Sequence, residues 1–154
     1  MGTVDGPVLL VLSRQNLPLV RENVETNRTA EGAYLLRCPD ERDVTLIATG
    51  SEVEIALAAA DALASGGVHA AVVSAPCFER FAARPEAERA ELLGTAPRIG
   101  VEAAIRQGWD LFLRPGDGFV GMTGFGASAP APALYEHFGI TAAAVADLAR
   151  KLAA

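Results

Sequence analysis

The segment VTLIATGSEVE, residues 44–54, constrains this chain more than any other. Its first part is rich in β-branched side chains and has the length of a buried strand. Gly50 breaks the run, and Ser51 with Glu54 three positions on has the spacing of a capping box at a helix start. Val53, Ala56, Leu57, Ala60, Leu63 and Ala64 then make one apolar stripe at helical period, which Gly66–Gly67 ends. A strand apolar on both faces, running through a tight turn into an amphipathic helix, is the first part of a βαβ unit and calls for a parallel neighbour.

The rest of the chain supplies such neighbours. AYLLR (33–37), HAAVVS (69–74), RIGVE (98–102) and FVGM (119–122) read as strands. Helices are expected from Pro85 to Leu93, over AAIRQGWDLFL (103–113) with Gly108 as its weak point, over APALYEHF (131–138), and after the cap Thr141 to the end of the sequence. This alternation predicts an α/β fold: a three-layer α/β/α domain over 33–154, with a mostly parallel sheet of about five strands and right-handed crossovers. Ahead of it, VLLVLS (8–13) reads as a short strand apolar on both faces. The polar stretch 14–32 (RQNLPLVRENVETNRTAEG) has no sustained period and reads as a linker.

Bulk properties narrow the function. Half of the 154 residues are apolar (51%), enough for a core. Thirteen basic against nineteen acidic residues leave a net charge of −6, with no basic cluster. Nucleic acids and anionic membrane surfaces are therefore poor partners, whereas a small phosphorylated ligand needs only one or two placed arginines. Cys38 and Cys77 belong to no C-x-x-C or Cys/His cluster, so neither a disulfide framework nor a zinc site is expected, and a reducing cytoplasm is the default compartment. The start MGTVDGPVLL does not read as a signal peptide, and charged residues such as Asp61 and Arg84 interrupt every apolar stretch before membrane-spanning length.

Open α/β sheets bind ligands beyond the carboxyl ends of their strands, and two places in the sequence qualify. ATGSEVE (48–54) is a strand–glycine–helix junction whose free N–H groups suit an anion, although it equally reads as a tight turn with a helix cap. Ser13-Arg14-Gln15 places a guanidinium at the end of an apolar strand, where a planar fork of donors suits a phosphate or carboxylate. The plainer alternative for Arg14 is a solvated side chain paired with Glu22 or Glu25. Other residues offer less. His69 and His137 lack ligand-spaced partners, Glu102 at a strand end can cap or pair the following helix, and Ser128 lacks the G-x-S-x-G setting of a nucleophile elbow. Trp109, Phe112, Phe119 and Phe125 read as core or interface. No catalytic triad, acid–base pair or cofactor fingerprint emerges from the residues alone.

In order along the chain, GPVLLVLSRQNLP (6–18), GAYLL (32–36), ATGSEVEIALAAADAL (48–63), VVSAPCFERF (72–81), RIGVEAAIRQGWD (98–110) and GMTGFGASAPAPALYEHFGIT (121–141) resemble the C-terminal part of bacterial-type transketolases. ATGSEV is shared with related thiamine-diphosphate enzymes, whereas LSRQNLP and FGASAPA…LYEHFGIT are specific to transketolases. The resemblance implies that 1–13 is the last strand of a pyrimidine-binding domain, 14–32 a linker, and 33–154 the C-terminal domain. It implies that Arg14 contacts the phosphate of a sugar-phosphate substrate, with Ser13 and Gln15 in support. It also implies a cytoplasmic homodimeric enzyme of the pentose phosphate pathway that moves a two-carbon ketol unit from a ketose phosphate to an aldose phosphate.

Thiamine diphosphate and a divalent metal, magnesium or calcium, are implied for the complete enzyme and not for this segment. Gly116-Asp117-Gly118 is not the family's metal motif, since it lies late in the chain without the downstream asparagine. No catalytic residue is expected here, and the segment alone is expected to be inactive. An alternative from another class is a free-standing module on the same fold, holding a small anion at Ser51 or near Gly124–Ser128.

Overall fold

A computed structural model of the chain describes residues 6–21 and 24–153. Five strands form one sheet: β1 (Tyr34–Arg37), β2 (Val44–Ala48), β3 (Ala70–Ser74), β4 (Arg98–Glu102) and β5 (Gly118–Gly121), in the order β1-β3-β2-β4-β5. β3, β2, β4 and β5 run parallel, and β1 closes one edge antiparallel to β3. The fold is thus the α/β class with a mostly parallel sheet that the alternation of elements predicts.

Side-chain alternation divides the core between the two faces of the sheet. Leu46, Ala48, Val72, Ile99 and Val101 point to one face, against α1 (Glu52–Ala64) and α5 (Ala142–Ala153). Ile47, Val73, Phe81, Trp109 and Phe112 build the other core, beside α2 (Phe78–Ala82) and α3 (Glu86–Leu93). α4 (Ala131–Phe138) packs Tyr135 and Phe138 against the first core. Thr141 caps α5 as expected, its Oγ1 accepting the Ala144 N–H at 3.2 Å.

The run 8–13 pairs with no strand of this sheet: it is coil, with Leu9 86% and Val11 85% exposed. Both faces of the sheet are already covered, so a strand apolar on both sides has nowhere to bury itself. The helix expected over 103–113 reduces to a 3-10 turn at Trp109–Leu111, because Gly108 adopts a left-handed φ of 85° and ends any regular run there. The capping box at Ser51 does not form: Ser51 is itself helical in backbone, Glu54 is exposed, and the Ser51 hydroxyl donates to Glu52 instead. Of the two readings of Phe125, core is excluded by its 100% exposure within this chain and interface stays open, whereas Trp109 and Phe112 are buried as expected. The single-turn helix α2 has no counterpart among the expected elements.

This topology fixes where a ligand can bind. β2 leads through α1 to β3 on one side, and the chain then crosses back over β2 to β4 on the other. The loops leaving β2 and β4 diverge in opposite directions, so the switch point lies between the carboxyl ends of these two strands.

Candidate functional site at the carboxyl edge

The turn after β2 opens this edge. Gly50 takes a φ of +46°, a left-handed conformation that suits glycine, and the Glu52 N–H closes the turn on the Thr49 carbonyl at 3.0 Å. Thr49 reaches across the switch point and donates its hydroxyl to Glu102 Oε1 at 2.7 Å, tying the ends of β2 and β4 together. Burial pushes the Glu102 carboxyl up from its ordinary value, and the charge of Glu52 pushes the same way. The Thr49 hydroxyl and the Trp109 indole oppose that rise without cancelling it.

Glu52 is only 5% exposed, an unusual burial for a carboxylate. Its Oε1 accepts from the Tyr135 hydroxyl at 2.5 Å and from the Ser51 hydroxyl at 2.9 Å, and Ser51 Oγ lies 2.9 Å from the Tyr135 hydroxyl. A carboxylate that must be buried needs such donors. Burial and the Glu52 carboxylate together push the Tyr135 phenol up to about 12. The side chains of Ser51 and Gln15, near the phenol oxygen, work against that rise.

The Ser13-Arg14-Gln15 segment runs over this same edge. Ser13 Oγ would lie 3.8 Å from a β-carbon built on Gly50, and the Gln15 side chain comes near enough to the Tyr135 phenol to work against its raised pKa. Arg14, between those two contacts, is exposed at the rim. Glu22, one partner considered for it, lies outside the described residues. The two places singled out in the sequence, Ser51 and Arg14, therefore meet at one edge. The start of α1 also carries the buried Glu52 carboxylate, whose charge disfavours an anion beside it.

The remaining candidates lie apart. His69 precedes β3 at the opposite, amino edge, with Nδ1 3.3 Å from Asp43 and 3.8 Å from Glu41. His137 packs its ring on Phe138. Ser128 sits in an exposed loop. Asp117 of the Gly116-Asp117-Gly118 loop is also at the amino edge and is spent on structure: it accepts from the Arg98 N–H at 3.0 Å and the Arg114 N–H at 2.8 Å. Its carboxylate therefore does not fit a diphosphate-bound metal. Among the described residues, no group of three or more His, Cys, Asp or Glu is placed to hold a metal ion. None of the helices described is long and apolar enough to cross a membrane.

Sequence reasoning missed Tyr135 and Glu52 as partners. The one signal available was an acidic residue in the first turn of α1, which complements the helix dipole.

An α/β domain with a switch-point edge overlaid by an arginine-bearing segment defines the class, and comparison with known proteins gives the family. Residues 32–141 match the transketolase-like C-terminal domain. The chain is 70% identical over 152 residues to a transketolase of Cereibacter sphaeroides, covering 98% of this chain and 23% of that protein. It is 42% identical to transketolase 1 of Escherichia coli, over 96% of this chain and 23% of that one. Among solved structures, a Pichia stipitis transketolase in complex with sedoheptulose 7-phosphate superposes with a TM-score of 0.82 at 33% identity, over 91% of this chain and 20% of that one. This chain belongs to the transketolase family and corresponds to its C-terminal part, spanning under a quarter of the length of these relatives.

Proposed function

We propose that this chain serves as the C-terminal portion of a transketolase, an enzyme that moves a two-carbon ketol unit from a ketose phosphate to an aldose phosphate in the pentose phosphate pathway. Within that enzyme, 1–13 belongs to the preceding pyrimidine-binding domain, 14–32 is the linker, and 33–154 is the C-terminal domain. Arg14 contacts the substrate phosphate. The observation that carries this reading is the place of Arg14, exposed at the carboxyl edge while its two neighbours lie against the Gly50 turn and Tyr135. A guanidinium there presents paired donors to an anion in a neighbouring channel.

The exposed run from Val8 to Leu12 supports the domain division, because so much apolar surface needs strand neighbours that this sheet does not offer. Exposed Ile105 and Phe125 favour burial against another chain, in keeping with a cytoplasmic homodimer. Thiamine diphosphate, with magnesium or calcium, supplies the covalent chemistry in the complete enzyme, and residues outside this chain hold it. The chain alone is then inactive, since Arg14 brings neither cofactor nor base.

The decisive experiment is Arg14→Ala in the complete enzyme. Loss of a charge-assisted bond of about 1.5–3 kcal/mol should raise KM for phosphorylated substrates by roughly 10- to 150-fold and leave a non-phosphorylated 2-oxo acid donor nearly unaffected. Unchanged KM for the phosphorylated substrates would end the assignment. Measurable ketol transfer by the purified chain, supplied with thiamine diphosphate and magnesium, would end the claim that the chemistry lies elsewhere.

A further inference from the structure

Arg21 and Arg28 share one aromatic ring. The guanidinium carbon of Arg21 stands 5.6 Å from the centroid of the Tyr34 ring, and that of Arg28 stands 5.3 Å from it, both within cation–π range. Contact with a ring engages the face of a guanidinium and leaves the N–H groups on its rim to donate elsewhere. Among the described residues, however, neither side chain forms an ion pair or a hydrogen bond, and Arg21 Nη1 is buried without a partner. Other arginines of the chain behave differently: Arg37, Arg84, Arg106, Arg114 and Arg150 each pair with an acidic side chain.

The two arginines line a hollow of about 510 Å³ beside β1, a size that suits a small organic ligand. Val20, Leu35 and Leu36 give it an apolar wall, and Thr26 adds a hydroxyl. Glu31 is the one carboxylate among its described lining residues; it is drawn toward Arg84 Nη1, 3.8 Å away, and Glu25 does not line the hollow. The support is rigid. Arg28 opens a 3-10 turn, Arg28–Glu31, in which the Ala30 carbonyl accepts from Arg80 Nε at 2.7 Å. Gly32, just beyond, lies so close to α2 that a β-carbon there would stand 2.3 Å from the Phe81 nitrogen, and its carbonyl accepts the Cys77 N–H at 3.0 Å. Tyr34 is itself buried in β1. Two like charges are thus held against one ring by fixed backbone, and no described carboxylate is paired with either of them.

We propose that this hollow binds a small phosphorylated compound, its phosphate held by the Arg21 and Arg28 guanidiniums and its organic part lying against Val20, Leu35 and Leu36. Two guanidiniums match the charge of a phosphate dianion and offer it paired donors, while Thr26 can add a hydroxyl donor. A preformed turn leaves little to be ordered on binding, which lowers the entropic cost. A nucleic acid is a poor fit, since it calls for a broad basic face and this chain carries a net charge of −6. The proposal is independent of the role of Arg14.

Calorimetry on the chain tests this, with inorganic phosphate and glycerol 3-phosphate as probes and chloride balancing the ionic strength. Both probes should saturate one site per chain, the ester at least as tightly as phosphate. Arg21→Gln and Arg28→Gln should each weaken binding roughly 10-fold or more, the loss of one charge-assisted contact, and Arg14→Ala should leave it unchanged. Both arginines are half-buried and lie outside the apolar cores, so glutamine leaves those cores intact. Arg28→Lys, which keeps the charge and loses the fork, should melt like the wild type and still bind more weakly, and it decides the matter should a glutamine variant fail to fold. Binding that does not saturate, that survives the Arg21→Gln/Arg28→Gln double variant, or that disappears in Arg14→Ala would overturn the proposal. So would saturable binding of inorganic phosphate without binding of the ester. In the complete enzyme, the wild type should bind one phosphate more per chain than the double variant. Equal stoichiometry would show that the preceding domain covers these guanidiniums, and the site would fall while the role of Arg14 stands.

Discussion

The indole of Trp109 occupies the space that a side chain on Gly100 would need. A β-carbon built on Gly100 would stand 2.7 Å from Trp109 Cε3 and 2.9 Å from Phe119 Cδ2, closer than such contacts permit. Ile99 and Val101, its neighbours on β4, point to the α1 face, so Gly100 is the position that faces the aromatic core. Trp109 can lie flat on the sheet because β4 has no side chain there. Gly100→Ala should therefore overpack the core and cost about 1–3 kcal/mol, read as a lower denaturation midpoint with an unchanged slope. An alanine variant as stable as the wild type would show that the indole moves aside freely.

The same pair shows where sequence reading succeeds and where it stops. β2 was legible as an unbroken apolar run rich in β-branched residues, and α1 from an apolar stripe that repeats over several turns. Trp109 and Phe112 are spaced as on a helix face, which made 103–113 look helical, but the left-handed backbone of Gly108 turns that spacing into a compact aromatic knot. α2 is too short at five residues to show a period. Arg14 stands out in the sequence from its place after an apolar run and from the motif around it, and its phosphate contact is the role proposed for it. The Tyr135–Glu52 contact was not legible, since it joins residues 83 positions apart and no local pattern records it.

At the amino edge, Asp117 fastens the starts of β4 and β5. It accepts from the Arg98 N–H, and from the Arg114 N–H and Nε, while Arg114 also donates to the carbonyls of Thr95 and Ala96. Partial burial pushes its carboxyl up, but the Arg114 donors and the Arg98 amide outweigh that and hold it below its ordinary value of 3.8. A depressed carboxylate stabilises the fold above the unfolded value and loses that contribution as pH falls through the folded one. Asp117→Asn should cost about 1–3 kcal/mol at pH 7 and should weaken the loss of stability in acid. Equal stability of variant and wild type in denaturant titrations at pH 7 would refute this.

Tyr135 provides a spectroscopic readout of the carboxyl-edge network. Its phenol is pushed up to about 12 from a reference of 10.0, chiefly by burial and then by the Glu52 carboxylate. Between those values the folded chain holds a proton that the unfolded chain has released, so this contribution is complete below pH 10 and fades as pH rises toward 12. Absorbance at the phenolate band should show a component titrating near 12 in the folded chain, absent from Tyr135→Phe. Glu52→Gln should move that component down, because the charge that disfavours the phenolate is gone. A Tyr135 titration unaffected by Glu52→Gln would dissociate the two groups.

Glu102 responds in the opposite sense to Asp117. Burial raises its carboxyl above 4.5, the Thr49 hydroxyl works against the rise, and the Glu52 charge adds to it. Above 4.5 the folded chain therefore keeps a proton longer than the unfolded chain does, and stability from this group falls as pH climbs through that window. Glu102→Gln keeps the shape and lets Thr49 donate to an amide oxygen in place of Oε1, now at 2.7 Å. The variant should be at least as stable as the wild type at pH 7, with a gain below about 1 kcal/mol because solvent still reaches part of the side chain. Its stability should also decline less between mildly acidic and neutral pH, as measured by denaturant midpoints across that range. A decline as steep as in the wild type would assign the pH dependence to some other group and leave Glu102 as a neutral tie between β2 and β4.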